Sequence, residues 1–272
     1  MSSAGITGRV RLSRQVRDDV GTEEGLLRIT GITKRFNGLL TLDSFDLCLP
    51  PNRITAIIGP NGAGKSTLFH IASGSLRPDS GTVFFRDKDL TRLAPYKIAR
   101  LGVARTFQDM RLIQQMSVLD NVLLATSSPD CEGLLALLRI RYVRQQESIN
   151  RKRALEWLDY VRLVDKCNDL AGEISYGQQK LLSLACCLAT GSELLLLDEP
   201  VAGVSPTTAE HLLEHIIQLP SIGKTVLFIE HNIVAVQSVA DRVIVIDEGR
   251  KIAEGTWNEV SCANEVLEAY LA

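Results

Sequence analysis

The sequence lacks a long apolar run, and this absence limits how the chain can meet a membrane. Its longest apolar runs, Leu134–Leu138 and Leu194–Leu197, are far shorter than the roughly 20 residues that cross a bilayer. The first residues include several arginines but no apolar segment of the kind that secretory signals carry. We therefore expect a soluble chain whose contact with a membrane comes through a partner.

The sequence also lacks the cysteine pattern of a disulfide-bonded or zinc-binding protein. Six cysteines are scattered without CxxC spacing, and the adjacent Cys186 and Cys187 lie in an apolar run. This arrangement favours buried thiols in a reducing compartment. The net charge of -2 is far from the strongly basic balance of general nucleic-acid binders. We expect no nucleic-acid partner.

The order of strand and helix patterns predicts an α/β fold. Residues 1–24 are polar and have no apolar face to bury, which is typical of a disordered tail, so the folded domain is predicted to cover 25–272. Apolar runs at Ile54–Ile58, Leu194–Leu197 and Thr225–Ile229 indicate parallel strands that are covered on both faces.

The middle of the chain has a different pattern. Ala154, Trp157, Leu158 and Val161 recur at the spacing of one helix face, and strand patterns are sparse around them. We therefore predict a mostly helical insertion at about 90–189. After it, Leu212, Leu213, Ile216 and Ile217 repeat helically, and the chain closes with a predicted hairpin around Asp247-Glu-Gly-Arg250.

Residues 59–67 have the spacing of a phosphate-binding loop between a strand and a helix. Its glycines allow backbone N–H groups to turn towards phosphate oxygens, and the helix N-terminus adds a partial positive charge. Lys65 supplies a positive charge to the β- and γ-phosphates, and the Ser66 hydroxyl is placed to ligate Mg²⁺. The residues predicted to bind Mg-ATP here are Gly59, Pro60, Asn61, Gly62, Ala63, Gly64, Lys65, Ser66 and Thr67.

A second segment has the form of a metal-orienting strand end. The apolar run Leu194–Leu197 delivers Asp198 and Glu199 at its carboxyl end. In this arrangement Asp198 orients the metal ion, and Glu199 is placed to polarise a water molecule against the γ-phosphate. The same two residues also fit a helix N-cap after a strand.

The third segment, Ile174-Ser-Tyr-Gly-Gln-Gln179, resembles the signature motif of ABC-type ATPases when it is taken with the other two. It also fits a helix start with Ser175 as the N-cap and Gln179 near the third position. The resemblance covers nearly all of residues 26–272. It implies a P-loop NTPase core of the ABC ATPase type, with an antiparallel β subdomain and an inserted α-helical subdomain that carries the signature.

The same resemblance implies roles for single residues. Gln108 would approach Mg²⁺ with Ser66 and Asp198, His231 would contact the γ-phosphate, and Phe36 would stack on adenine. The catalytic set would comprise Glu199, His231, Gln108 and Lys65. The ATP held by one subunit would also contact the signature residues of a second subunit, Ser175, Tyr176, Gly177 and Gln178.

Within the family, the chain is similar to ATP-binding subunits of branched-chain (hydrophobic) amino-acid and amide importers. The likeness rests on Phe36–Leu40, Val103–Leu112, the Tyr-Gly-Gln form of the signature, Glu230-His231 and Val266–Leu271. It implies a homodimer or a heterodimer with a second ABC ATPase subunit, multi-span membrane permease subunits and a periplasmic substrate-binding protein. It also implies a peripheral position at the cytoplasmic face of the inner membrane.

Two other functions stay open at this point. One is the motor of an ABC exporter of lipid or lipopolysaccharide type. The Tyr-Gly-Gln form of the signature does not favour this function. The other is a soluble ABC ATPase that acts on ribosomes, DNA or iron–sulfur assembly. The single copy of each motif and the lack of sustained heptads do not favour that second function.

Overall fold

The computed structural model describes residues 25–106, 112–126 and 140–271. Within them the strands are β1 (Leu27–Phe36), β2 (Leu39–Leu49), β3 (Ile54–Ile58), β4 (Ser80–Phe85), β5 (Lys88–Asp89), β6 (Val103–Arg105), β7 (Leu194–Asp198), β8 (Thr225–Ile229), β9 (Arg242–Asp247) and β10 (Arg250–Gly255). The helices are α1 (Lys65–Ala72), α2 (Pro95–Arg100), α3 (Val118–Ala125), α4 (Ile140–Tyr160), α5 (Tyr176–Ala189), α6 (Pro206–Gln218), α7 (Ile233–Val239), α8 (Trp257–Val260) and α9 (Asn264–Leu271). Short 3₁₀ turns cover Val164–Lys166 and Leu219–Ile222. The tail prediction for residues 1–24 lies outside the described residues.

The core is a six-stranded sheet with the order β10-β9-β3-β8-β7-β6, in which only β10 runs antiparallel to its neighbour. Every residue of β3, β7 and β8 is buried. Leu195 and Leu197 belong to one apolar cluster and Leu194 and Leu196 to another, because successive side chains of a strand point to opposite faces. The α/β prediction is therefore confirmed, with both faces of the sheet covered.

A four-stranded antiparallel sheet with the order β2-β1-β4-β5 packs against one face of the core. Its first hairpin turns at Asn37 and Gly38, whose φ angles are 48° and 89°. Two consecutive residues with positive φ give a turn whose twist suits a tight hairpin. This turn brings Phe36 to the end of β1.

Helices α3, α4 and α5 pack on one another at the opposite face of the core. Ala154, Leu158 and Val161 are fully buried there and Trp157 is partly buried, as their helical spacing predicts. β6 lies inside the range predicted as a helical insertion (about 90–189), but it pairs with β7 in the core sheet. The division of the chain into a core and an insertion stays a prediction.

The carboxyl ends of four neighbouring parallel strands meet at one edge of the core sheet. β3 leads into Gly59, β6 into Thr106, β7 ends at Asp198, and β8 leads into Glu230. In open α/β sheets ligands bind in the crevice at this edge. No helix among the described residues is long and apolar enough to cross a membrane.

Candidate active site

The phosphate loop connects the buried strand β3 to the start of α1. Lys65, the first residue of α1, is buried, and its Nζ donates to the carbonyl oxygens of Gly59 and Pro60, each at 2.8 Å. Burial lowers the pKa of Lys65, and the nearby negative charge of Glu199 opposes that shift. The ammonium group therefore lies inside the loop, in the electrostatic range of Glu199.

The loop requires glycine at two positions because other parts of the backbone approach it closely. A Cβ at Gly59 would lie 2.0 Å from the Ile246 carbonyl oxygen, and a Cβ at Gly64 would lie 2.6 Å from the Thr41 oxygen. Gly64 also precedes α1 with a φ of 101° and offers no side-chain cap. The first N–H groups of α1 thus point towards the loop, where an anion would find donors and a helix dipole of favourable sign.

Asp198 is held in place by two residues at the end of β6. Arg105 Nη2 donates to Asp198 Oδ2 at 2.9 Å, and the Thr106 hydroxyl accepts from the Asp198 N–H at 3.0 Å. Arg105 and Asp198 side chains are both 6% exposed, and a second guanidinium nitrogen of Arg105 contacts Ser73 at 3.2 Å. Separating the two side chains would leave a buried charge without compensation. The ion pair therefore fixes the position of the Asp198 carboxylate.

Glu199 follows Asp198 with a left-handed backbone, φ 46°. Its carboxylate Oε1 lies 3.2 Å from His231 Nε2, at hydrogen-bonding distance. The Glu199 N–H donates to Ile229 O at 3.0 Å, which ties the end of β7 to the end of β8. The structure therefore brings together Lys65, Asp198, Glu199 and His231, which lie far apart in the sequence.

Glu230 is a buried carboxylate between these elements. Its Oε1 accepts from the Val201 N–H at 3.0 Å, and its Oε2 accepts from the N–H groups of His231 and Asn232 at 3.1 and 3.3 Å. Burial raises the pKa of Glu230, and these three backbone hydrogen bonds oppose the shift. Glu230 thus links the segment after β7 to the segment that carries His231.

The signature segment begins α5. Ser175 is the N-cap, and the helix starts at Tyr176, so the third helical residue that completes the capping box is Gln178. The predicted Ser175 N-cap is confirmed; Gln179, predicted near the third position, is the fourth helical residue and donates to the carbonyls of Ala171 and Ile174. Ser175 and Tyr176 are exposed, whereas Gly177 is buried against Thr208 on α6.

The remaining predicted site residues are Phe36 and Gln108. Phe36 is 44% exposed at the tip of β1, with Lys34 Nζ 5.6 Å from its ring centroid. This position suits a stacking role, which stays a prediction. Gln108 lies outside the described residues, so its approach to the metal also stays a prediction.

A groove of 470 Å³ opens between α2, α3, α5 and β6. Its lining is mostly apolar and includes Tyr96, Ile113, Leu124 and Cys186. Tyr96, Ile113 and Leu124 are exposed. Burial raises the pKa of Cys187, at the same groove, to about 12, so its thiol is protonated near neutral pH. The described cysteines are all free.

The chain is similar to curated proteins over most of their length. A family model described as ABC transporter matches residues 42–202. The chain is 39% identical over 248 residues to the high-affinity branched-chain amino acid transport ATP-binding protein LivG of Escherichia coli K12, covering 90% of the chain and 97% of that relative. It is 37% identical, over the same shares, to the corresponding protein BraF of Pseudomonas aeruginosa.

Solved structures agree with the sequence likeness. A nucleotide-free ATP-binding cassette from an ABC transporter superposes with a TM-score of 0.80 at 33% identity, and the ADP conformation of another cassette does so with 0.79 at 34%. Each covers 91% of the chain and 99% of the solved structure. The chain therefore belongs to the ABC transporter family and is one of its ATP-hydrolysing subunits.

Proposed function

We propose that this ATPase powers the uptake of branched-chain, hydrophobic amino acids or related amides. The observation that carries the proposal is the likeness to the Escherichia coli and Pseudomonas relatives. That likeness extends over nearly their whole length, and both are named for branched-chain amino acid transport. Neither relative is named for export or for a function outside transport.

In the proposed mechanism the chain positions ATP and a water molecule and stabilises developing charge. Lys65 and the N–H groups of the loop bind the β- and γ-phosphates, and Glu199 polarises the attacking water. His231, at hydrogen-bonding distance from Glu199, contacts the γ-phosphate. The short distance between these two side chains supports a shared role, because each can hold the other beside the phosphate.

The residues at the strand edge fit a magnesium ion. Ser66 and Asp198 offer a hydroxyl and a carboxylate oxygen, the ligand type that Mg²⁺ prefers. Gln108, outside the described residues, completes the proposed ligand set. When bound, the cation would offset the negative charge of the phosphate groups. Arg105 would keep the Asp198 carboxylate aimed at that position through its buried ion pair.

The signature is proposed to serve the ATP of a second subunit, either another copy or a homologue. Ser175 and Tyr176 are exposed at the start of α5, where the helix N-terminus presents partial positive charge to an anion. Gly177 and Gln178 would complete that contact. Two ATP molecules would then hold two subunits together, and hydrolysis would release them.

We place the permease contact at the groove between α2, α3 and α5. Exposed apolar side chains such as Tyr96, Ile113 and Leu124 suit the apolar face of a helix from a membrane subunit. This contact would hold the chain at the cytoplasmic face of the inner membrane. A periplasmic substrate-binding protein would deliver the substrate to the permease.

Transport assays test this proposal. We expect cells without the chain to lose uptake of labelled leucine, and we expect wild-type protein, but not a Glu199→Gln variant, to restore it. Labelled urea and short amides run in parallel identify the substrate class. The control is a Lys152→Ala variant on the exposed face of α4, which should restore uptake fully. Equal uptake of every candidate with and without the chain would contradict the importer function.

A further inference from the structure

The backbone of Glu199 is held in a strained conformation from two sides. Its φ of 46° lies in the left-handed region, which is uncommon for a residue other than glycine and persists only where surrounding structure enforces it. The N–H donates to Ile229 O on β8, and the carbonyl oxygen accepts from Lys180 Nζ at 3.0 Å. The second of these bonds comes from α5, the helix that the signature begins.

Lys180 is a buried cation in an otherwise apolar part of α5. It is 7% exposed, among the buried Leu181, Leu184 and Leu188. Burial lowers the pKa of Lys180, and the negative charges of Glu230, Glu199 and Asp198, in that order, oppose the shift. A buried ammonium group needs such partners, and here they are the acidic residues at the ends of β7 and β8.

The signature lies within about one and a half helical turns of this lysine. Ser175 caps the helix five positions earlier, and the Tyr176 ring centroid is 5.8 Å from Lys180 Nζ. Gly203, after β7, is close enough to Tyr176 that a Cβ there would lie 3.2 Å from the ring. The Lys180 side chain therefore connects the start of α5 to the main chain of Glu199. A movement of the start of α5 can be transmitted along this connection without involving the phosphate loop.

We propose that Lys180 is a positioning residue that couples the two ATP sites of a subunit pair. It ties the backbone of Glu199, which serves the subunit's own ATP, to the signature helix, which serves the partner's ATP. Engagement of the signature by the partner's nucleotide then sets the direction of the Glu199 carboxylate. This inference rests on the proposed two-subunit site.

Lys180→Met tests the link, because methionine is unbranched and apolar and donates no hydrogen bond. We expect kcat for ATP hydrolysis to fall about tenfold, while the Kd for ATP is unchanged. A positioned general base accelerates the reaction by about 10²–10⁴, and a misdirected Glu199 should lose part of that acceleration. Lys180→Arg, which keeps a charged donor, should recover most of kcat. A kcat of wild-type size in Lys180→Met, or no recovery in Lys180→Arg, would overturn the inference.

Lys224→Met is the matched control. Burial lowers the pKa of Lys224 too, and its Nζ donates to the Ser192 carbonyl at 2.6 Å, but it precedes β8 at the opposite edge of the sheet. We expect its kcat to equal that of the wild type. An equal loss in both variants would mean that the loss is not specific to the link with Glu199, and it would overturn the inference. Should Lys180→Met fail to fold, Lys180→Leu, which is also uncharged and donates no hydrogen bond, takes its place.

A double-mutant cycle separates the coupling from the two-subunit site itself. If the signature acts on Glu199 through Lys180, then Ser175→Ala and Lys180→Met should each lower kcat about tenfold, and the double variant should be no slower than either. Losses that multiply to about a hundredfold would overturn the coupling. Wild-type turnover in Ser175→Ala would instead contradict the two-subunit site, whatever Lys180→Met does.

Discussion

Replacing Glu199 by glutamine should lower ATP turnover by at least about a hundredfold, since a positioned general base contributes 10²–10⁴. Glutamine has nearly the same size and can still contact His231, which lies 3.2 Å from the native carboxylate. It cannot take a proton from water or polarise it with a negative charge. ATP affinity should stay within about twofold, because the phosphate loop, which we propose supplies most of the binding contacts, is unchanged.

ATP turnover is measured by the release of phosphate, and ATP affinity by titration of the same preparation with a fluorescent ATP analogue. Glu193→Gln is a suitable control, because Glu193 pairs with the exposed Arg86 at the other end of the core sheet. It should leave both quantities at their wild-type values. Turnover of wild-type size in Glu199→Gln would remove Glu199 from its proposed role.

Replacing Lys65 by alanine should weaken ATP binding about tenfold to a hundredfold, because a hydrogen bond to a charged group contributes about 1.5–3 kcal/mol. The chain itself should fold well. Burial disfavours the charged form of Lys65 and lowers its pKa, and the loss of this penalty offsets part of the loss of its two hydrogen bonds to the Gly59 and Pro60 carbonyls.

Equilibrium titration with the fluorescent ATP analogue gives the affinity, and urea denaturation checks the fold. The control is Lys251→Ala, since Lys251 pairs with Glu254 on the terminal strand β10, away from the strand edge that carries the site. Affinity of wild-type size in Lys65→Ala would mean that the ammonium group does not reach the phosphates.

Periodicity was sufficient to predict the core of the fold. Continuous apolar runs identify β3, β7 and β8 because each is buried on both faces. The spacing of apolar residues was a less reliable guide to which side chains of a helix are exposed. Ile217 shares the helical spacing of Leu212 and Ile216, yet it is 38% exposed, because α6 buries a narrower stripe than the apolar residues span. β6 has only three residues, too few for a periodic pattern, and its place in the sheet comes from pairing with β7.

The place of the phosphate loop between β3 and α1, and that of Asp198 and Glu199 at the end of β7, could be predicted from local motifs, since each lies in a short segment with a fixed spacing; their roles stay predictions. Contacts between segments were not. Arg105 binds Asp198 from 93 positions away, and the Glu230 side chain reaches back to the Val201 N–H. One signal was visible for Lys180: a charged residue occupies the helix face that also carries Leu184 and Leu188. A charge on a buried face requires a partner, although the sequence does not name Glu199 as that partner.

The mass of the Glu199→Gln variant in solution, measured by light scattering with and without Mg-ATP, tests the two-subunit site most directly. Because this variant should bind ATP without consuming it, we expect the mass to rise from 29.9 kDa to twice that value when ATP is added. Adding Ser175→Arg, which places a bulky side chain at the signature, should keep the protein monomeric. A mass that stays at 29.9 kDa with saturating Mg-ATP would contradict an ATP held between two copies of this chain.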